Sequence, residues 1–220
     1  MSKPLTDTKQ YYMIKNLLFD MGGVIFRQDT EEAFRRFRAI GIDTDFYMGA
    51  YGQKDFFLDV ETGAIDAETF CRKMAEATGR ASVSHEEALN CWLGYVKDVP
   101  VERLHNLLEL RKHYHVCLLS NTNPLVMEYM RSPRFSADGL PITHYFDTLF
   151  CSYEMKAYKP HADIFLQALQ TDNMKAEECI FIDDSLKNTE AAAALGFHVL
   201  HVEANKDWMP KLTKMLEELA

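Results

Sequence analysis

Short apolar runs alternate with helical stretches in the second part of this 220-residue chain, and this alternation restricts its possible folds more than any other feature. After Pro100, the predicted helix VERLHNLLELRKH leads into the run HVCLLS. Further pairs of helix and apolar run follow, through ECIFID and FHVLHV, to a predicted terminal helix. Apolar runs separated by helices are typical of βαβ units. We therefore predict an α/β fold built on a parallel sheet.

The first predicted strand, Lys15–Asp20, is separated from the others by a long helical segment. From about residue 30 to residue 100, apolar residues recur three or four positions apart, and no convincing strand is present. This segment reads as an insertion after the first strand. We predict a core formed by residues 1–29 and 100–220, with residues 30–99 as an inserted α-helical cap domain.

Charge and cysteine content restrict the protein's partners. Asp and Glu outnumber Lys and Arg by 33 to 24, and the net charge of −9 argues against a surface for nucleic acid or anionic membrane. No apolar run is long enough to span a bilayer, and the polar N-terminus does not resemble a signal peptide. Five scattered cysteines without a CxxC pattern favour free thiols in a reducing cytoplasm. We expect a cytoplasmic protein without nucleic-acid or membrane partners.

Polar side chains follow several predicted strands at the points where the strands end. Asp20 ends the first strand, Ser120–Thr122 end the second, Asp183 and Asp184 end a later one, and Lys159 precedes a helix. Each alone has a common structural explanation as a helix cap, a turn residue or a solvated side chain. Adjacent acids, however, raise each other's cost of ionisation, and a divalent cation relieves it. Oxygen ligands fit Mg²⁺, so the combination predicts a magnesium site at this edge of the sheet.

Four segments carry a family resemblance. LLFDMGGVIF, VCLLSNT, YKPHADIF and CIFIDDSLKN resemble, in the same order, the four motifs of the haloacid dehalogenase-like hydrolase superfamily. One such motif is a weak signal, whereas four in order at predicted strand ends are a strong one. The resemblance covers essentially the whole chain after about Lys15 and implies a Rossmann-like core with a helical cap. The subgroup that it suggests includes α-glucose-1-phosphatase and the phosphatase domain of soluble epoxide hydrolase.

The resemblance implies roles for the acids and for one lysine. Asp20 would be the nucleophile that forms an aspartyl-phosphate, and its carboxylate would also bind Mg²⁺ together with the main-chain carbonyl of Gly22. Asp184 would be a metal ligand, with Asp183 binding directly or through water. Lys159 would offset the negative charge between nucleophile and phosphate. The implied reaction is magnesium-dependent hydrolysis of a small phosphorylated metabolite, with a sugar phosphate as the favoured substrate.

Other residues would hold the phosphate. The resemblance assigns this role to the Ser120 hydroxyl and the main-chain N–H of Asn121. Gly22 and Gly23 would let main-chain N–H groups approach the phosphate closely and adopt torsions that other residues avoid. Asn188, where many relatives have another acid, would orient a metal-bound water or Lys159.

Gly22 is the largest departure from the family pattern. Most phosphatases of the superfamily have a second Asp at this position, which protonates the leaving oxygen, a contribution of roughly 10²–10⁴-fold. Three explanations remain open: a non-catalytic or regulatory protein that binds a phosphorylated ligand, an acid from the cap such as Asp59 or Glu61, or a substrate with a good leaving group. Solvated positions on the cap surface are the more common explanation for Asp59 and Glu61.

A dehalogenase is a further alternative, but the pair of acids at 183 and 184 favours metal-dependent phosphoryl transfer. Substrate choice would depend on the cap, where we expect the turn around Glu61, Thr62 and Gly63 to face the site. Tyr51 and Trp92 are candidates to flank a sugar, although aromatic residues at helical spacing are more often core. Two further apolar residues suit the cap core, an apolar wall for the substrate or a homodimer interface, namely Phe56 and Phe57.

Overall fold

The structure, a computed structural model, describes residues 13–48 and 53–220. The described strands are β1 (Asn16–Phe19), β2 (Arg27–Gln28), β3 (Val96–Asp98), β4 (His115–Ser120), β5 (Thr148–Cys151), β6 (Cys179–Asp183) and β7 (His198–His201). The α-helices are α1 (Thr30–Ala39), α2 (Thr44–Tyr47), α3 (Phe56–Glu61), α4 (Ala67–Thr78), α5 (His85–Trp92), α6 (Val101–Leu110), α7 (Pro124–Met130), α8 (Ser152–Met155), α9 (Ala162–Thr171), α10 (Leu186–Ala194) and α11 (Met209–Leu219). Short 3₁₀ turns occupy Leu93–Tyr95, Ile142–His144 and Ala176–Glu178.

The main sheet has five parallel strands in the order β5-β4-β1-β6-β7. All four residues of the central strand β1 are buried. Alternate β1 side chains belong to two separate hydrophobic clusters, with Leu17 and Phe19 in one and Leu18 in the other. Such burial on both faces is typical of parallel sheets, whose connecting helices cover each side. The predicted α/β fold with a parallel sheet is confirmed.

A small ribbon corrects the sequence prediction for residues 30–100. Val96–Asp98 forms β3, which pairs antiparallel with β2, so the prediction that this segment contains no strand was wrong. Three residues are too few for an alternating apolar pattern to show in the sequence. Part of the pairing comes from Arg27, whose guanidinium donates to both carboxylate oxygens of Asp98 at 2.6 and 2.7 Å. The ribbon places the two ends of the helical segment side by side.

The helical segment α1–α5 has its own aromatic core. Trp92 packs against Phe37, Phe57 and Phe70, with ring centroids 5.4 to 5.8 Å apart. Phe56 and Phe57 are 2% and 0% exposed, so they belong to this core and offer no exposed surface to a dimer. Tyr51 lies outside the described residues.

Two observations bear on the expected surroundings of the protein. Within residues 13–48 and 53–220, no helix combines the length and apolar character needed to cross a membrane. All five cysteines are buried as free thiols.

Candidate active site

The order of the strands brings the predicted site residues to one edge of the sheet. β1 lies between β4 and β6, and Phe19 is in register with Leu118 on one side and Ile182 on the other. Asp20 follows β1 directly, and its main-chain N–H donates to the carbonyl of Ile182 at 2.8 Å. Ser120 is the last residue of β4 and Asp183 the last residue of β6. The carboxyl ends of three neighbouring strands therefore converge, as expected for the ligand site of such a sheet.

Lys159 connects these strand ends. Its ammonium group donates to Asp20 Oδ1 and to Asp183 Oδ2, each at 2.7 Å, and to the carbonyl of Leu119 at 2.8 Å. The residue is only 2% exposed. Burial acts to lower the pKa of Lys159, but the two carboxylates outweigh it, and the pKa is raised. The side chain therefore stays positively charged at neutral pH, beside Asp20, for which the family resemblance implies the role of nucleophile.

Asn121 fixes the position of Lys159 in a way that sequence reasoning missed. The Asn121 side chain donates to the carbonyl of Lys159 at 2.9 Å and accepts from its main-chain N–H at 2.8 Å. The sequence had suggested only a role for the main-chain N–H of Asn121. An amide side chain suits this pair of hydrogen bonds because it offers both a donor and an acceptor. No pattern in the sequence indicates the pairing, because the two residues lie 38 positions apart.

The three acids at this edge provide a donor set that fits a hard cation. Asp20, Asp183 and Asp184 each offer a carboxylate oxygen, and these oxygens lie within 4.8 Å of one another. Burial, followed by the negative charges of Asp20 and Asp183, raises the pKa of Asp184 to about 7. The single positive charge of Lys159 cannot balance the three clustered carboxylates. Oxygen ligands at this spacing suit Mg²⁺, which would relieve the remaining repulsion.

Asp183 is more tightly held than its neighbour Asp184. Its carboxylate accepts from the Ser185 N–H at 2.7 Å, and the Asn188 side chain donates to both of its oxygens at 3.1 and 3.2 Å. The carboxylate of Asp183 is thus occupied by Lys159, Ser185 and Asn188. Asn188 orients Asp183, whereas the sequence had suggested contact with Lys159 or with a metal-bound water. Asp184 is the acid with more freedom to bind a cation directly.

Gly22 and Gly23, which follow Asp20 and Met21, are required for different structural reasons. Gly23 has a φ of +72°, and an added Cβ would overlap the carboxylate of Asp184. Gly22 is not among the positive-φ glycines, so the expectation of an unusual torsion was wrong at this position. A Cβ on Gly22 would come within 2.9 Å of the Gln28 amide oxygen and 3.7 Å of the Phe26 ring. The space that a second acid would occupy is therefore filled in part by Gln28.

Replacing Gly23 with alanine should separate the effect of the close contact with Asp184 from the strain of a positive φ. Gly139 has a nearly identical φ of +70°, but an added Cβ there meets nothing within 4 Å. We expect Gly139→Ala to cost about 1–2 kcal/mol of unfolding free energy from strain alone. Gly23→Ala should cost clearly more, because Asp184 must also move. Urea unfolding of both variants measures the difference, and equal losses would mean that Asp184 yields without cost.

A cavity of about 220 Å³ opens at this edge, between the strand ends and the helical segment. The strand-end side contributes Asp20, Gly22, Ser120, Asn121, Thr122, Lys159 and Asn188, and the helical segment contributes Gln53, Glu61, Trp92 and Tyr95. Three buried polar atoms that belong to lining residues have no hydrogen-bond partner among the described residues, namely Gln53 Oε1, Thr122 Oγ1 and Trp92 Nε1. Buried polar atoms are rarely left unpaired, so these atoms are candidates to bind water or a polar ligand.

Glu61 is buried, against the expectation of a solvated position on the cap surface. It is 7% exposed, and its carbonyl accepts from the Ser152 hydroxyl at 2.6 Å. That hydroxyl in turn accepts from the Thr122 N–H at 2.9 Å, which ties the end of α3 to the loop after β4. Burial raises the pKa of the Glu61 carboxyl to about 8, while nearby Tyr158 and Gln53 act in the opposite direction. Burial thus favours the protonated form of Glu61.

The other residues expected in the cap loop serve to dock it. The carbonyl of Gly63 accepts from the Lys156 ammonium, and a Cβ on Gly63 would overlap the carbonyl of Tyr153. Thr62 donates through its hydroxyl to the carbonyl of Asp59 at 3.2 Å. Thr62, Gly63 and Asp59 lie outside the cavity lining. Of the predicted residues in this loop, the structure places only Glu61 in the cavity.

Comparison with known proteins fits this geometry. A model of the haloacid dehalogenase-like hydrolase family matches residues 14–196. The chain belongs to this family. It is 38% identical over 205 residues to the D-ribitol-5-phosphate phosphatase of Bacteroides thetaiotaomicron, an alignment that covers 93% of this chain and 99% of that protein. The family resemblance of the four sequence motifs is confirmed.

Solved structures of family members are similar over nearly their whole length. A predicted HAD-like family hydrolase from Porphyromonas gingivalis has a TM-score of 0.88 and 36% identity, with coverage of 93% of this chain and 98% of that one. A HAD family enzyme from B. thetaiotaomicron, solved with magnesium and inorganic phosphate, has a TM-score of 0.80 and 33% identity, with coverage of 90% and 98%. The parallel sheet and the helical segment are therefore shared with these hydrolases.

Proposed function

We propose that this protein is a magnesium-dependent phosphatase that hydrolyses a phosphate monoester of a small sugar or polyol through an aspartyl-phosphate on Asp20. The observation that carries the proposal is the position of Asp20, 2.7 Å from the Lys159 ammonium in the wall of the cavity at the strand ends. Two similar proteins support the proposal. One is the D-ribitol-5-phosphate phosphatase of B. thetaiotaomicron, and the other is the HAD family enzyme that was solved with magnesium and inorganic phosphate.

Asp20 and Lys159 perform the central step of the proposed reaction. A carboxylate oxygen of Asp20 attacks phosphorus, and the leaving oxygen departs on the opposite side. Lys159 holds positive charge between the carboxylate and the phosphate dianion, which reduces their repulsion. Bound Mg²⁺ would supply further charge stabilisation on the phosphate oxygens. Asp20, Asp184 and Asp183 are its proposed carboxylate ligands, and the Gly22 carbonyl is a proposed additional ligand.

Groups at the end of β4 and after β1 are proposed to hold the phosphate. The Ser120 hydroxyl makes only a 3.3 Å bond to the carbonyl of Asn121, so it can turn to a phosphate oxygen at little cost. The main-chain N–H groups of Asn121, Gly22 and Gly23 are the proposed further donors. Main-chain donors add hydrogen bonds without filling the cavity with side chains.

The unpaired polar atoms support a hydroxyl-rich substrate. An indole N–H on Trp92 can only donate, an amide oxygen on Gln53 can only accept, and the Thr122 hydroxyl can do both. Hydroxyl groups of a sugar or polyol match this mixed set, because each hydroxyl is donor and acceptor together. A substrate whose organic part is wholly apolar would leave these atoms unpaired. We also propose residues 30–99 as a cap domain, because this segment supplies Gln53, Glu61, Trp92 and Tyr95 to the cavity.

Release of inorganic phosphate from a panel of sugar and polyol phosphates tests the proposed function. EDTA should abolish release, and added Mg²⁺ should restore it. Asp184→Ala should weaken Mg²⁺ binding strongly, whereas Asn188→Ala should weaken it less, because Asn188 only orients Asp183. Calorimetric titration of Mg²⁺ measures both variants. Full phosphate release in EDTA would contradict the proposed role of Mg²⁺, and binding of phosphate esters without turnover would indicate a phospho-ligand-binding protein.

A further inference from the structure

The proposed reaction lacks a proton donor at the strand end. Gly22 has no side chain, and the neighbouring Gln28 amide, which partly fills its space, cannot act as an acid at neutral pH. The alkoxide of a sugar or polyol is a strong base and a poor leaving group unless it is protonated as it departs. A phosphatase for such a substrate needs an acid elsewhere in the cavity.

The direction of the reaction indicates where that acid must lie. In-line displacement puts the leaving oxygen on the side of phosphorus away from the Asp20 carboxylate. Asp20 belongs to the strand-end wall of the cavity, and the helical segment forms the facing part of the lining. Glu61 is the acidic residue that this segment contributes to the lining. The Ser152 bond holds its main chain to the loop after β4, so the position of Glu61 is fixed relative to the strand ends.

The surroundings of Glu61 keep its carboxyl neutral and able to donate. Burial raises its pKa to about 8, close to the working pH that general acid catalysis requires. The facing groups are the Tyr158 hydroxyl, the Gln53 amide and Tyr95, with the Lys156 ammonium bound to the nearby Gly63 carbonyl and Lys159 across the cavity. Burial raises the pKa values of Tyr95 and Tyr158 well above those of ordinary tyrosines. Neither tyrosine therefore competes as the acid.

We propose that Glu61 is the general acid of this active site, in place of the missing second aspartate, and that it then acts as the base for hydrolysis of the aspartyl-phosphate. This inference rests on the proposed phosphatase function. It assigns the catalytic proton to the helical segment that also binds the substrate's hydroxyl groups. The reaction would then depend on correct docking of the loop 61–63 against α8.

The proposed reaction has two steps, over which the bonds and the catalytic proton balance. In the first, a bond forms between Asp20 and phosphorus, the ester P–O bond breaks, and the Glu61 proton passes to the leaving oxygen, which departs as an alcohol. In the second, water attacks phosphorus from the place that the alcohol vacated. The Glu61 carboxylate takes a proton from this water as the Asp20–phosphorus bond breaks. Glu61 and Asp20 return to their starting states, and one water is consumed for each ester.

A series of phosphate esters with leaving alcohols of graded acidity tests the proposal, with Glu61→Gln as the variant and Asp59→Asn as the matched control. Asp59 is an acid of the same helix that lies outside the cavity. For alkyl esters, Glu61→Gln should lower kcat/KM by about 10²–10⁴-fold. For aryl esters, whose leaving groups need no proton, kcat/KM should change much less. Asp59→Asn should leave the whole series unchanged.

The dependence of kcat/KM on leaving-group acidity in the native protein is a further test of the proposal. With Glu61 as acid, kcat/KM should depend only weakly on the acidity of the leaving alcohol, and the variant should show a steep dependence. A steep dependence in the native protein, or alkyl-ester rates that survive in Glu61→Gln, would overturn the proposal. Phosphate release from aryl esters in both proteins would still support the proposed function. No release from any ester would instead remove the proposed function itself.

Thermal unfolding supplies a readout other than activity. A carboxyl group that stays protonated when buried, but ionises in the unfolded chain, lowers stability as the pH rises above its ordinary pKa. Glutamine carries no such cost. The melting temperature of Glu61→Gln should exceed that of the native protein by a margin that grows from pH 5 to pH 8. A constant margin would contradict a neutral Glu61, and Asp59→Asn should show no such trend.

Discussion

Asp20→Asn is expected to abolish phosphate release, with a loss of at least about 10⁴-fold in kcat. The amide is a much weaker nucleophile than the carboxylate, and it removes one of the three carboxylates proposed to bind Mg²⁺. The fold should remain intact, because asparagine has nearly the same shape and the Asp20 N–H still bonds to Ile182. Steady-state kinetics with inorganic phosphate detection and a melting curve measure the two effects.

Asp163→Asn is a suitable control for the loss of one negative charge. Asp163 is exposed in the first turn of α9 and lies outside the cavity lining. The Asp163→Asn variant should retain native kinetics. Burst experiments with an aryl phosphate add a direct test, because only a protein with Asp20 should accumulate a covalent phosphoryl group. Near-native turnover in Asp20→Asn would mean that another residue is the nucleophile.

The sheet could be predicted from sequence because its central strands β4, β1 and β6 are buried on both faces. HVCLLS was predicted as a strand and is β4, and the predicted first strand contains β1. Continuous apolar runs of this kind are diagnostic when helices separate them. The strand β3 could not be found in this way, since a short exposed ribbon depends on its partner strand and on the Arg27–Asp98 pair.

The site was predictable in part for a related reason. Strand ends meet at one edge of a parallel sheet, so residues such as Asp20 and Asp183 could be brought together from their positions alone. The Asn121–Lys159 clamp and the burial of Glu61 depend on contacts between distant segments. No local pattern encodes such contacts. An acid at the end of a helix looks the same in sequence whether the tertiary fold exposes it or covers it.

Lys159→Met is expected to lower the free energy of unfolding by about 3–5 kcal/mol, as is typical when one partner of a buried ion pair is removed. Methionine has a similar length but no charge, so Asp20 and Asp183 would face each other without a cation. The carbonyl of Leu119 would also lose its donor. Activity should fall with stability, because the phosphate would meet two unbalanced carboxylates. Urea unfolding in EDTA measures the loss of stability.

Added Mg²⁺ should restore part of the lost stability and thereby distinguish charge from packing. The cation would bind the same carboxylates that Lys159 neutralises, so it should raise the melting temperature of Lys159→Met more than that of the native protein. Lys187→Met, which removes an exposed lysine at the start of α10, should respond to Mg²⁺ as the native protein does. An equal response in all three proteins would mean that Lys159 stabilises the fold through its packing, and that the carboxylates at this edge tolerate one another without a cation.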